Sequence, residues 1–322
     1  MRHLRCWIFA LIFPVPVLGA PITAIGFVEN VSTGATRLAF VRDSHSWHAT
    51  CFFQEEQNML KRQMALTDSN AIQAGWKQVL ESNCANALLQ RKWTVIEQDG
   101  RTIDVGHLNN IPHTSYDTIG TVKIDAAARA KLKPPFQMLK SQNLMSTISN
   151  LLIAVPEGTV VSSLQESDEP RLSKSELHAI QTAYLKKPRT IVICNPTSGV
   201  ESTERPATLQ DLKITPYLEY KGDVTFVKAE LILASNDHCD VEDTEQELYV
   251  TSHEHIFNLS LPFRDDGGAY TTTLYPIGAY QITDKSIKDI VYLIYIDGAD
   301  KNGYALYDAD FKRAAVSTWF YH

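Results

Sequence analysis

The run DIVYLIYIDGADKNGYALY, from Asp289 to Tyr307, constrains the fold more than any other stretch of the chain. Val291, Leu293 and Tyr295 alternate with Tyr292, Ile294 and Ile296, so an extended segment here is apolar on both faces. Side chains point to opposite faces along a strand, and such a segment is stable only where both faces are covered. Asp297 to Gly303 supplies turn residues, and Tyr304 to Tyr307 a returning strand.

The surroundings of this hairpin are rich in further strand candidates. Val224 to Ala234, Glu247 to Leu261, Tyr270 to Tyr275, Ala279 to Thr283, Ile290 to Ile296, Gly303 to Tyr307 and Ala314 to Tyr321 alternate with turn signals. Their number and spacing predict an all-β, antiparallel immunoglobulin-like sandwich over 212–322, although no Cys, Trp, Cys spacing marks it.

Residues 20–195 read instead as a mixed α+β domain. Ile22 to Val28, Thr36 to Val41 and Trp47 to Phe53 make a β-meander, and Asp99-Gly100 turns a second hairpin between Trp93 to Gln98 and Arg101 to Val105. Asp68 or Ser69 caps a helix bearing Ile72, Trp76, Val79 and Leu80, extended through Leu88 and Leu89. Asp125 caps a short alanine-rich helix, and Gln137 to Leu152 is a weaker helical segment. Ser173 with Glu176 is a capping box for a helix that buries Leu177, Ile180 and Tyr184 and closes at Lys186, Lys187 and Pro188. Arg189 to Cys194 reads as a buried strand. Between them and the sandwich, 196–211 loses its apolar periodicity and reads as a linker or long loop.

The N-terminus has the layout of a secretory signal peptide over 1–19. Arg2 and Arg5 precede a 13-residue apolar run, Cys6 to Leu18, that ends in small residues. A bilayer crossing needs roughly 17 apolar residues or more, and Pro14 and Pro16 interrupt this run, so no integral membrane span is expected once the signal is cleaved. Cys51, Cys84, Cys194 and Cys239 then remain, an even number that predicts two disulfides in an exported chain. Pairing of sequence neighbours, Cys51 with Cys84 and Cys194 with Cys239, is favoured. Export places the protein in the periplasm or outside the cell.

Charge separates the two halves. Residues 201–322 carry 21 Asp plus Glu against 10 Lys plus Arg, which argues against nucleic acid or an anionic membrane surface as a partner. The partner expected is an unidentified protein or small molecule.

Candidate chemistry is sparse. His253 and His255 in TSHEHIF would share a strand face and could point at one metal ion, but spacing fixes no third ligand; two surface histidines explain them as well. In DGADKNG, Asp300, Asn302 and Gly303 match a calcium loop that fails at Gly298 and Ala309, and a plain turn uses the same residues. Asp237, Asp240, Glu242, Asp243, Glu245 and Glu247 crowd a run that reads as a solvated loop. Cys51 near His45 and His48 suits a disulfide better than a catalytic thiol. Asn30 and Asn258 sit in glycosylation acceptor patterns. Tyr270, Tyr275 and Tyr280 could line a ligand platform, or simply be strand residues. No phosphate-binding glycine loop or local catalytic motif occurs, and no cofactor is expected. The leading expectation is an exported binding or structural protein of the cell envelope or extracellular space. The alternative is a secreted metal-dependent hydrolase using His253 and His255.

Overall fold

The computed structural model describes residues 23–43, 46–53, 69–97, 100–111, 120–133, 152–167, 169–194, 202–220, 224–231, 246–253, 255–259, 272–284, 287–298, 301–312 and 314–320. The expected signal peptide, residues 137–151 of the helix expected over Gln137 to Leu152, and Cys239 lie outside these residues, so the Cys194–Cys239 pairing does too; Leu152 itself begins a strand.

The chain opens with β1 (Thr23–Asn30), β2 (Ala35–Arg42) and β3 (Trp47–Ala49), an antiparallel meander as expected. Gly34 turns its first hairpin at φ +77, and a Cβ there would sit 2.9 Å from the carbonyl oxygen of Ile124, so glycine is required twice over. The third strand ends at Ala49, earlier than Phe53, because the chain turns into a helical residue triplet at Cys51.

Two helices follow, α1 (Ser69–Leu80) and α2 (Asn83–Leu89). They are separate helices where one extended helix was expected. Ser82 caps the second, its side chain accepting from the Ala85 N–H. The Cys51–Cys84 disulfide is present and ties α2 back to the meander. It closes a loop with a sequence separation of 33, and chain-entropy arithmetic gives it about 3 to 4 kcal/mol. A Cys51→Ala/Cys84→Ala variant is expected to lose that amount in urea titration, and an unchanged midpoint would show that the link contributes nothing.

Next come β4 (Lys92–Ile96), β5 (Thr102–His107), β6 (Asn109–Asn110), β7 (Thr121–Lys123) and α3 (Ala126–Arg129), the last capped by Asp125. They are followed by β8 (Leu152–Pro156), β9 (Val160–Ser163) and α4 (Lys174–Leu185). The Ser173–Glu176 capping box forms as expected, and Ile180 and Tyr184 are buried.

Beyond α4, β10 (Thr190–Cys194) pairs with β11 (Ser202–Pro206), so part of the stretch expected to be a linker is a strand. Then come β12 (Leu212–Tyr220), β13 (Val224–Leu231), β14 (Gln246–Ser252), β15 (His255–Asn258), β16 (Thr273–Asp284), β17 (Ile287–Asp297), β18 (Lys301–Asp308) and β19 (Ala314–Phe320). The described chain is mostly antiparallel β with few helices.

The strands make three main sheets. The first runs β5-β4-β8-β1-β2-β7-β6, with β3 also on β2. The second runs β19-β18-β17-β16-β9, and the third β12-β13-β14-β15. Two features cross the boundary expected at 196–211: β9 is the edge strand of the second sheet, and the largest apolar cluster draws on both halves of the chain.

The second sheet is the middle layer, and β17 shows why. Val291 and Leu293 pack with Phe27 and Leu38 of the first sheet. Tyr292, Ile294 and Ile296 pack with Phe226, Leu248 and Val250 of the third. Its neighbour divides the same way, with Tyr304 and Leu306 on the first side and Ala305 and Tyr307 on the second. The two-sided apolar pattern is therefore met by two different sheets. On its far face, the third sheet packs Val227, Ala229 and Tyr249 against Ile180 and Tyr184 of α4.

Polar bonds tie the first two layers together. Glu29 holds Arg37 at 2.6 Å and accepts from the Tyr304 hydroxyl at 3.1 Å. The Arg37 guanidinium lies 3.7 Å over the Trp319 ring, and the Ser317 hydroxyl donates to the Ala39 carbonyl at 2.7 Å. Arg42 pairs with Asp289.

Candidate functional site

A groove of about 260 Å³ opens where the third sheet meets β16. Alternation on the strands builds it. On β13, Val224 and Phe226 face the second sheet, and Lys228 continues that face at the groove. Opposite Lys228 in the register stands Leu248 of β14. From the second sheet come Leu274, Tyr275 and Pro276 of β16, and Tyr217 of β12 completes an aromatic wall.

Pro276 explains the shape of this wall. A proline cannot donate to a ladder, and the pairing of β16 with β17 shifts between Pro276 and Gly278. Gly278 is needed at this bulge, since a Cβ there would lie 2.4 Å from the Tyr280 ring.

The rim is polar and charge-paired. Glu247 accepts from Lys187 Nζ at 2.8 Å, Arg189 Nη2 at 2.6 Å, the Tyr249 hydroxyl at 2.5 Å and Asn258 Nδ2 at 2.8 Å. Burial alone would raise the pKa of Glu247, but the bonds from Lys187 and Tyr249 and the charge of Arg189 outweigh it and hold the carboxyl below its ordinary range. Lys228 pairs with Glu230 at 2.7 Å. Burial, and secondarily Tyr275, pushes the Tyr217 phenol up to about 12. Tyr217 therefore stays a neutral hydrogen-bonding group at ordinary pH, and Glu247 stays ionised. Neither is tuned to move a proton near neutrality, which general acid–base catalysis requires. The arrangement suits holding a molecule with an apolar body and a polar end.

The residues singled out in the sequence are placed differently. His253 lies in the turn between β14 and β15 with φ 47, and His255 begins β15 opposite Ser252. The expected single strand from Glu247 to Leu261 is a hairpin, and the shared face on which both imidazoles would meet a metal does not form. Among the described residues, no group of three His, Cys, Asp or Glu could hold a metal ion. Asp300 lies outside the described residues, while Asn302 pairs across the ladder with Asp297, whose pKa burial raises. Of the acidic run, Glu247 is the hub just described and no solvated loop residue, and its other members lie outside the described residues. Asn258 spends its amide on Glu247, and the Asn30 side chain accepts from Ser32 and Thr33 in the β1–β2 turn. Cys51 is in the disulfide, so a thiol nucleophile is excluded there. Tyr275 lines the groove, and Tyr280 a second recess along the same strand, whereas Tyr270 lies outside the described residues.

Sequence reasoning missed Tyr217, Lys187 and Lys228. One signal was present: Lys228 continues the apolar face of Val224 and Phe226, and a lysine at an inward position marks an edge of the covered area. No helix among the described residues is long and apolar enough to cross a membrane. Comparison with protein-family models, curated proteins and solved structures finds no match.

Proposed function

We propose that the chain is an exported binding protein whose groove between the third sheet and β16 takes a small amphiphilic molecule. The carrying observation is the lining: an apolar wall of Leu248, Leu274 and Pro276, two neutral tyrosines, and a polar rim at Lys187, Asn258 and Lys228. Export is supported by the Cys51–Cys84 disulfide, since such bonds persist in oxidising compartments, and by the signal-like composition of the first residues.

The anionic dye 1-anilinonaphthalene-8-sulfonate has an aromatic body and a charged end, and tests this directly. Fluorescence titration is expected to saturate at one site per chain. Leu274→Arg puts a charge into the apolar wall and Tyr275→Ala removes aromatic surface, and each should weaken the dye by about tenfold, the equivalent of roughly 1.4 kcal/mol. Leu209→Arg, at a leucine 52% exposed and outside the groove, should leave the affinity unchanged. Unsaturable binding, or equal affinity in all three variants, overturns the reading.

A further inference from the structure

Further along β16, a second recess of about 240 Å³ opens at the junction of all three sheets. Ile96 and Ile153 come from the first sheet, Glu97 directly follows β4, Gly278 to Tyr280 come from the second sheet and Tyr220 from the third. Tyr220 is 1% exposed, and among the described residues its hydroxyl has no hydrogen-bond partner. Phe226 and Tyr292 hold its ring, each with centroids about 6 Å away (6.1 Å for both). Tyr220 lines the recess together with Glu166 and Tyr280. A buried hydroxyl without a partner is costly, and folded proteins rarely leave one.

The charges around it are negative. Glu97 is buried and satisfied by Arg101 and by the Lys133 N–H at 2.7 Å. Glu166 stands at the exposed mouth, its backbone bridged to Tyr220, and burial of its carboxyl raises its pKa. With Glu97 already paired to Arg101, an anion would still meet the Glu166 carboxylate here. A calcium ion takes six to eight oxygen ligands, more than Glu166 and two phenols supply. An ammonium group asks for less: three hydrogen-bond acceptors, with aromatic faces nearby as a further attraction.

We propose that this recess binds a primary alkylammonium group, seated between the Glu166 carboxylate and the Tyr220 hydroxyl oxygen, with its alkyl chain along Leu164 and Ile277. The unsatisfied Tyr220 hydroxyl is then an acceptor awaiting its donor, and Glu166 gains a counter-charge that no described residue supplies. The site is separate from the groove, so either can fail without the other.

Calorimetric titration of the full chain with 1,5-diaminopentane is expected to show saturable binding, and 1-pentanol, which keeps the chain length without the charge, none. Glu166→Gln, at an exposed position, should weaken the diamine by about tenfold or more, because it removes a charge-assisted bond. Tyr220→Phe should weaken it by about fivefold while raising the melting temperature of the free protein by about 2 °C, since it deletes a buried hydroxyl with no partner. Opposite signs for binding and stability are the signature of a ligand-directed group. Absence of diamine heat, unchanged affinity in both variants, equal binding of pentanol, or calcium binding in place of the diamine would each overturn the proposal.

Discussion

Phe27→Ala and Phe226→Ala are each expected to lower the unfolding free energy by about 3 to 5 kcal/mol, read as a shift of the urea midpoint at constant slope. Both rings are fully buried, Phe27 at 0% and Phe226 at 1% exposure, but they belong to different clusters. Phe27 stacks on Tyr304 with centroids 4.1 Å apart, on the face of the second sheet that meets the first. Phe226 meets Tyr292 at 5.9 Å and Phe311 at 6.1 Å on the opposite face. Since they share no partner, their costs in the double variant should add within about 0.5 kcal/mol. A loss below about 1 kcal/mol for either would mean that its face is not packed as described.

The second large effect is at Arg189. Its side chain is 1% exposed, its Nε donates to the Tyr184 carbonyl at 3.2 Å, its guanidinium lies 3.8 Å over the Tyr184 ring, and it pairs with Glu247. Arg189→Ala removes the buried cation and leaves a largely buried carboxylate, a change worth about 3 to 5 kcal/mol. Lys187 bonds the same carboxylate from a side chain 62% exposed, and Lys187→Ala should cost less than about 1 kcal/mol. Paired denaturant titrations give the contrast, and equal losses in the two variants would contradict the assigned burial. Replacing both members, as Arg189→Met with Glu247→Leu, should recover much of the loss, because no buried charge is then left unpaired; Lys187, which also loses Glu247, is exposed to solvent.

How much of this was legible in the sequence depends on how local each signal is. The β17–β18 and β4–β5 pairings, the Asp125 cap and the Ser173–Glu176 capping box each rest on signals within a few residues, and all form. Errors fall where irregular backbone passes for a boundary or regular sequence hides one. Pro276 and Gly278 look like a break, yet β16 runs through them by a bulge. His253 turns the chain at positive φ without glycine or proline to announce it, so β14 and β15 read as one strand. β12 escaped notice because Pro216 interrupts it, and the ladder answers with a second bulge between Pro216 and Leu218 on an edge strand. The groove and the recess were illegible for another reason. Their linings run from Lys187 to Pro276 and from Ile96 to Tyr280, and only sheet packing brings them together.

Both depend on the second sheet being a middle layer, with β17 covered on its two faces by different sheets. Native-state hydrogen exchange followed residue by residue tests this most directly. The Val291 to Ile296 amides are expected to be among the slowest in the chain, exchanging only with the free energy of global unfolding, as do those of Phe27 and Phe226. Exchange of the β17 amides through a smaller opening, while β1 and β13 stay protected, would contradict the layered arrangement.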